Sequence, residues 1–187
     1  MSFPRISKLK TAADFSARLN ELKISLPFDD VIMTGTNSPL GNSMHYQDGI
    51  VGNRFCILPM EGWDGTKDGK PTELTRRRWK NFGLSGAKMI WGGEAVAIRH
   101  DGRANPNQLL INEKTVADLK SLRGDLVDAH NSSFGTTDDL LVGLQLTHSG
   151  RFAKPNSSDR LEPRTVYRHP LLDERLGIDS SQAILSD

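Results

Sequence analysis

Apolar residues along the chain follow two different spacings. From Thr11 to Leu22 they recur three and four apart, as Ala12, Phe15, Leu19 and Leu22, which predicts an amphipathic helix with Thr11 as its N-cap. Between Lys23 and Asn53 the chain is rich in Gly, Pro, Asn and Asp, and Ser38-Pro39 and Asp48-Gly49 mark turns, so short hairpin strands are expected there. Arg54 to Met60 is a run of large apolar residues with no polar alternation, the pattern of a buried strand covered on both faces. A polar loop, Gly62 to Pro71, leads to Thr72-Glu73-Leu74, which opens a helix to about Phe82. Its apolar face carries Leu74, Trp79 and Phe82, and Arg76, Arg77, Arg78 and Lys80 are expected on a solvated side.

Ala87 to Ile98 reads as a second strand, interrupted by Gly92-Gly93-Glu94 and followed by turns at Asp101-Gly102 and Asn105-Pro106. Asn112 can cap a helix from Glu113 to about Asn131, carried by Val116, Leu119, Leu122, Leu126 and Val127, and Leu140 to Thr147 gives a third strand. Strand, helix, strand, helix, strand is the order of successive βα units with right-handed crossovers, an α/β fold. After His148 the periodicity stops. Ser149 to Asp187 reads as a long functional loop, since ordinary connections run about 4 to 6 residues. Ser186-Asp187 resembles a helix cap with no helix after it.

Composition narrows the function classes. Lys and Arg number 24 against 23 Asp and Glu, and a net charge of +1 gives no electrostatic footprint for nucleic acid. The single cysteine, Cys56, rules out an internal disulfide and a cysteine-rich metal site; in a strand interior it reads as an inert small apolar residue. No apolar run approaches the roughly 20 residues of a membrane span, and no signal peptide is readable, so a cytoplasmic location and no membrane partner are expected.

Three strand ends carry the candidate chemistry, and ligands of βα folds collect at such ends. Gly92-Gly93 lets a flat ligand approach the backbone, or equally marks a bulge. Gln145, an amide inside an apolar strand, offers a donor and an acceptor to a heterocycle, or equally satisfies a neighbouring backbone. His148 can bind a substrate oxygen or hold structure. Glu61 and Glu94 leave open a paired-carboxylate site, which with His148 would act hydrolytically. Walker, GxGxxG, HExxH and GxSxG motifs are absent, and His45, His100, His130 and His169 lack ligand spacing.

Four segments in order, Asn53-Arg54 to Leu58-Pro59-Met60, Gly69-Lys70-Pro71-Thr72-Glu73, Gly102-Arg103-Ala104-Asn105-Pro106-Asn107-Gln108, and Leu144-Gln145-Leu146-Thr147-His148-Ser149-Gly150-Arg151, resemble the old yellow enzyme family, FMN-dependent NADH:flavin oxidoreductases or ene-reductases. The resemblance implies an eight-stranded (β/α)8 TIM barrel, of which residues 53–187 would form only the N-terminal three to four βα units, with residues 1–52 as a helix and hairpin extension capping it. It implies FMN held by Pro59, Met60 and Glu61 after the first strand, by Gly93 on the second and by Gln145 on the third, with His148 in the substrate pocket. NADH or NADPH would be the reductant and a small molecule such as an activated alkene the acceptor.

Departures accompany the likeness. Glu61 stands where the family has Thr or Cys, and a carboxylate there is expected to lower the flavin potential. The resemblance places the substrate-anchoring His pair, the tyrosine proton donor and the phosphate anchor beyond Asp187. Complete barrels run about 250 residues. A truncated half-barrel is therefore expected, inactive alone or completed by a C-terminal half, with a homo-oligomer also open and with exposed strand edges.

Overall fold

The computed structural model describes residues 5–179 and Ile184. Two compact units divide the chain, Met1–Pro39 and Leu40–Asp187. In the first, helix α1 (Ala12–Leu22) begins where the spacing places it. The Thr11 side chain accepts from the Asp14 N–H while Asp14 accepts from the Thr11 N–H, so two amides left free by the helix start are satisfied reciprocally. Lys23, left-handed at φ 57°, ends the helix, and Phe15 meets Phe28 edge to face at 5.0 Å.

The second unit opens with the expected hairpin, β1 (Met44–Tyr46) against β2 (Gly49–Val51), turned through Gln47 at φ 51°. Its end is tied to the rest of the unit, because Val51 is buried and the Gly52 N–H donates to Asp139 O at 3.0 Å. A parallel sheet follows in the order β3 (Cys56–Ile57), β4 (Met89–Ala97), β5 (Leu141–Thr147). The intervening helices are α2 (Glu73–Leu84) and α3 (Val116–Phe134). Both pack on one face of the sheet, where Trp79, Ile90, Val96, Leu109, Leu119, Leu122 and Leu126 form a continuous buried core. Each such side chain contributes about 1.5–3 kcal/mol by leaving water. Among the described residues no helix is long and apolar enough to cross a membrane.

Several elements differ from the sequence expectations for identifiable reasons. The run Arg54 to Met60 forms a two-residue strand, and Phe55, Cys56, Leu58 and Met60 are exposed; among the described residues β3 pairs with β4 alone. Cys56 is accordingly a surface thiol, not a buried one. On α2 the inward positions are Thr75, Trp79 and Gly83, one turn apart, which leaves Leu74 outside. Arg76 and Arg78 do not sit on a solvated face. Arg76 reaches α3 and pairs with Asp125 at 2.6 Å, and Arg78 turns toward the sheet.

Asn112 caps a single turn rather than α3 itself: its side chain accepts from the Lys114 N–H, its carbonyl accepts from the Thr115 and Val116 N–H, and the helix starts at Val116. Gly135, at φ 75°, closes α3. The segment after His148 is less irregular than its composition suggests. It contains α4 (Pro170–Leu176), with His169 accepting from the Leu172 N–H, Pro170 in the first turn and Gly177 left-handed beyond the end. Arg151 ties this helix back, donating to Asp173 at 2.7 Å and to Tyr167 O at 2.8 Å. The cap expected at Ser186-Asp187 lies outside the described residues.

Candidate functional site

The carboxyl half of β4 does not run straight. Trp91 pairs with Gly143 and Ala95 with Gln145, so Gly92, Gly93 and Glu94 bulge opposite the single residue Leu144. Gly92 takes φ +58°, and a methyl there would lie 2.5 Å from the Gln145 nitrogen, so this position requires glycine. A methyl on Gly93 would meet the Phe82 ring at 3.0 Å, which shows that Gly93 faces α2.

Beyond the bulge the strand resumes with Ala95. Its N–H donates to Met60 O at 2.9 Å, and it registers with Gln145. Ile90, Val96 and Val142 point into the helical core, so Ala95 and Gln145 project from the opposite face. Met60, Ala95 and Gln145 thus stand in one row across the three strand ends. The Gln145 side chain is exposed and makes no hydrogen bond among the described residues. The row offers a flat heteroaromatic ring backbone on one side and an amide with unused donor and acceptor on the other, with Ala95 buried between them. Of the residues expected to hold a flavin, Pro59, Met60 and Glu61 lie at the β3 end of the row and Gln145 at the β5 end.

The loop after β4 locks this geometry. Arg103, Asn105 and Gln108 are fully buried. Arg103 donates to the carbonyls of Lys67, Thr66 and Gln108, and Asn105 donates to Gly62 O at 3.1 Å. Gln108 accepts from the Ala104 N–H at 2.6 Å and donates to Ala95 O at 2.7 Å and to the Thr147 hydroxyl at 3.2 Å. The polar run Gly102 to Gln108 therefore works as an internal brace joining the ends of β4 and β5 to the loop after β3. Its sequence signal was several amides and an Arg packed between two apolar segments.

Glu94, the third bulge residue, is fully buried under Gly62. Its Oε1 accepts from the Gly62 N–H at 2.6 Å, and its Oε2 takes Arg78 Nη2 at 2.6 Å. Arg78 also binds Asp64 with two nitrogens at 3.0 and 2.8 Å. Loss of water pushes the Glu94 carboxyl above its ordinary value and outweighs the pull of Arg78. Burial acts on Arg78 in the opposite sense to its two carboxylate partners, which prevail and hold it firmly charged. Asp64, partly desolvated, is nevertheless lowered by the Arg78 hydrogen bonds and charge. Glu61 is exposed at the rim, so the two glutamates do not form a catalytic carboxylate pair; Glu94 is committed to Arg78. The hydrolytic arrangement loses its second acid.

His148 packs against Gly102 in the loop after β4. Its Nδ1 accepts from the Gly150 N–H at 3.0 Å, which leaves the proton on Nε2, 3.9 Å from Asp101 Oδ1. The Arg99 hydrogen bonds hold the Asp101 carboxyl below its ordinary range despite some burial. The ring closes on Gly102, where any side chain would collide with it, and lines a cleft of about 380 Å³ with Arg151, Arg164 and Tyr167.

No family model matches the sequence, and no curated protein does. Solved structures do match in fold. The old yellow enzyme homologue from Zymomonas mobilis superposes with a TM-score of 0.53 at 22% identity, over 68% of this chain and 33% of that one. A 2-naphthoyl-CoA reductase in complex with 2-naphthoyl-CoA gives 0.52 at 18% identity, over 68% of this chain and 18% of that one. The fold is thus the parallel βα arrangement found in old yellow enzyme homologues. The chain spans about a third of the length of the first of these structures and less than a fifth of the second.

Proposed function

We propose that this chain forms one wall of the flavin site of an FMN-dependent oxidoreductase of the old yellow enzyme type, its sheet being three of the strands of an eight-stranded barrel. The row of Met60, Ala95 and Gln145 across the strand ends carries the reading. The Gln145 amide would hold the polar edge of the isoalloxazine, and the backbone of Pro59, Met60 and Glu61 would lie along its other side; Gly93, which faces α2, would act through the shape of the bulge and not by touching the ring. When bound, FMN would supply hydride transfer, carrying two electrons and a proton from NADH or NADPH to the electron-poor carbon of an activated alkene or similar acceptor, with a second proton from solvent completing the neighbouring carbon. The chain's own contribution is to orient and desolvate: Gln108 fixes the spacing of Ala95 and Thr147 on either side of Gln145, and the Glu94–Arg78 pair anchors the bulge. His148, beside Asp101, would border the substrate.

Purified protein should be titrated with FMN, following quenching of flavin fluorescence, and then assayed for NADH oxidation with and without an enone. Binding weakened at least tenfold by Gln145→Leu supports the reading. A protein that leaves flavin fluorescence unchanged and oxidises no NADH assigns the chain instead to a non-catalytic half-barrel.

A further inference from the structure

The loops beyond β5 carry a feature that the flavin row does not use. The cleft of about 380 Å³ bordered by His148 is lined also by Arg151, Arg164, Val166 and Tyr167, and among the described residues no acid lines it. Its volume lies in the range of small-molecule sites, about 300–1,000 Å³. The backbone of its wall is fixed, because the Arg164 N–H donates to Gly150 O at 2.9 Å and Thr165 is buried. Val166 and Tyr167 are exposed and give that wall an apolar surface.

The charges around the cleft do not cancel. Arg151 is occupied internally: it donates to Asp173 at 2.7 Å, and its guanidinium lies over the Tyr167 ring at 5.0 Å. Asp101 is taken by Arg99, which reaches it with two nitrogens at 2.9 and 3.0 Å. Arg164 stands off from that same carboxylate, its Nε 3.4 Å away, and its side chain, 53% exposed, makes no hydrogen bond among the described residues. Two guanidinium groups thus share one carboxylate, and the surplus positive charge stands at Arg164. We propose that this cleft binds the carboxylate of a small organic acid, with Arg164 as a two-pronged donor and with Val166 and Tyr167 covering the hydrocarbon part. A planar monoanion matches one unclaimed guanidinium fork. A phosphate, with a charge of about −1.5 to −2, calls for further cationic donors, and the other arginine of the wall is already paired. The cleft begins at His148, about 10 Å along the chain from Gln145. The acceptor is then an unsaturated carboxylic acid and not a neutral enone; that assignment rests on the function proposed above, whereas the anion site itself does not.

Isotope-edited NMR of the full 187-residue chain without flavin tests the proposal, with titrations at low salt of cinnamate, its uncharged analogue cinnamamide and inorganic phosphate. Cinnamate is expected to shift the amides of Gly150 and of Arg164 to Tyr167, and to bind at least about tenfold more tightly than cinnamamide or phosphate. Arg164→Met should weaken cinnamate by about tenfold or more, and Arg164→Lys, which keeps the charge and loses the fork, by less. Arg160→Met, which removes an exposed guanidinium outside the cleft, should leave cinnamate binding as it is. Because the Arg164 side chain is half exposed and its bond to Gly150 runs through the backbone, circular dichroism of Arg164→Met should match the parent. FMN titration of the parent, run alongside, keeps the two readings apart: a chain that binds cinnamate in this cleft but no FMN overturns the function above and supports the anion site. Equal binding of cinnamate and cinnamamide, phosphate bound as tightly as cinnamate, an affinity unchanged by Arg164→Met, or no shift in these amides up to the solubility of cinnamate would overturn the proposal.

Discussion

Replacing Arg78 by Met removes the guanidinium that faces Glu94 while keeping much of its aliphatic volume. Glu94 is left fully buried with only the Gly62 N–H for a partner. Breaking a buried ion pair from one side costs about 3–5 kcal/mol. The Arg78 side chain is 27% exposed against 0% for Glu94, so water enters part of the vacated space and the lower end, about 3 kcal/mol, is expected. For a chain of this size that lowers the melting temperature by about 6–12 °C. Glu94→Gln, which retains an oxygen for Gly62 and leaves Arg78 with Asp64, should cost only about 1 kcal/mol.

The pH dependence separates this mechanism from simple loss of packing. Burial already raises Glu94, and without Arg78 it raises it further. A raised carboxyl stabilises the fold below its unfolded value, about 4.3, and that stability disappears as pH rises through the folded value. The Arg78→Met deficit, read from urea midpoints, should therefore be smaller at pH 5 than at pH 8. A deficit under about 1 kcal/mol at pH 7, or one flat with pH, refutes the reasoning.

Other expectations follow from the same contacts. Gln108→Leu strands Ala95 O and the Ala104 N–H in the interior, about 1–3 kcal/mol for each group left unpaired, and should appear as faster hydrogen exchange at Ala95 to Ala97 and at Thr147. Gly92→Ala strains a left-handed backbone and crowds Gln145; a loss of more than about 1 kcal/mol is expected, and a neutral result by thermal melting would contradict the bulge geometry. The Asp173 carboxyl is lowered chiefly by the Arg151 hydrogen bond, so its contribution is present at neutral pH and fades as pH falls below about 3.9. Asp173→Asn should remove part of the fall in melting temperature between pH 6 and pH 3, and an unchanged fall counts against the Arg151 tie. In a flavin-loaded form, Glu61→Gln should raise the flavin potential; a lower potential would exclude a carboxylate effect at the ring.

What could be read from the sequence was what depends on neighbours close in the chain. Leu119, Leu122 and Leu126 announce α3 by spacing alone, and Thr11 and Thr72 announce helix starts by side-chain chemistry. The residues misread are those whose environment is set by distant partners. Nothing in Arg76-Arg77-Arg78 says that the first meets Asp125, the second solvent and the third a glutamate in the next strand. The apolar run Phe55 to Met60 specifies what its residues avoid, not which element covers them. The candidate site was half visible. Gln145 stood out as an amide between leucines, but Ala95 had no signal, because its place in the row follows from how the bulge shifts one strand against another.

That bulge has a consequence for how the strand tolerates length changes. Between its two aligned pairs, β4 holds two more residues than β5, an even number. Side chains alternate along a strand with period two, so an even insertion leaves the alternation in phase, and Ile90 before it and Val96 after it both enter the same core. Deleting one residue of Gly92, Gly93 and Glu94 would invert that phase and exchange Val96 with Ala95 and Ala97. Deleting both glycines would keep it. Viable changes of length in this strand should therefore come in pairs.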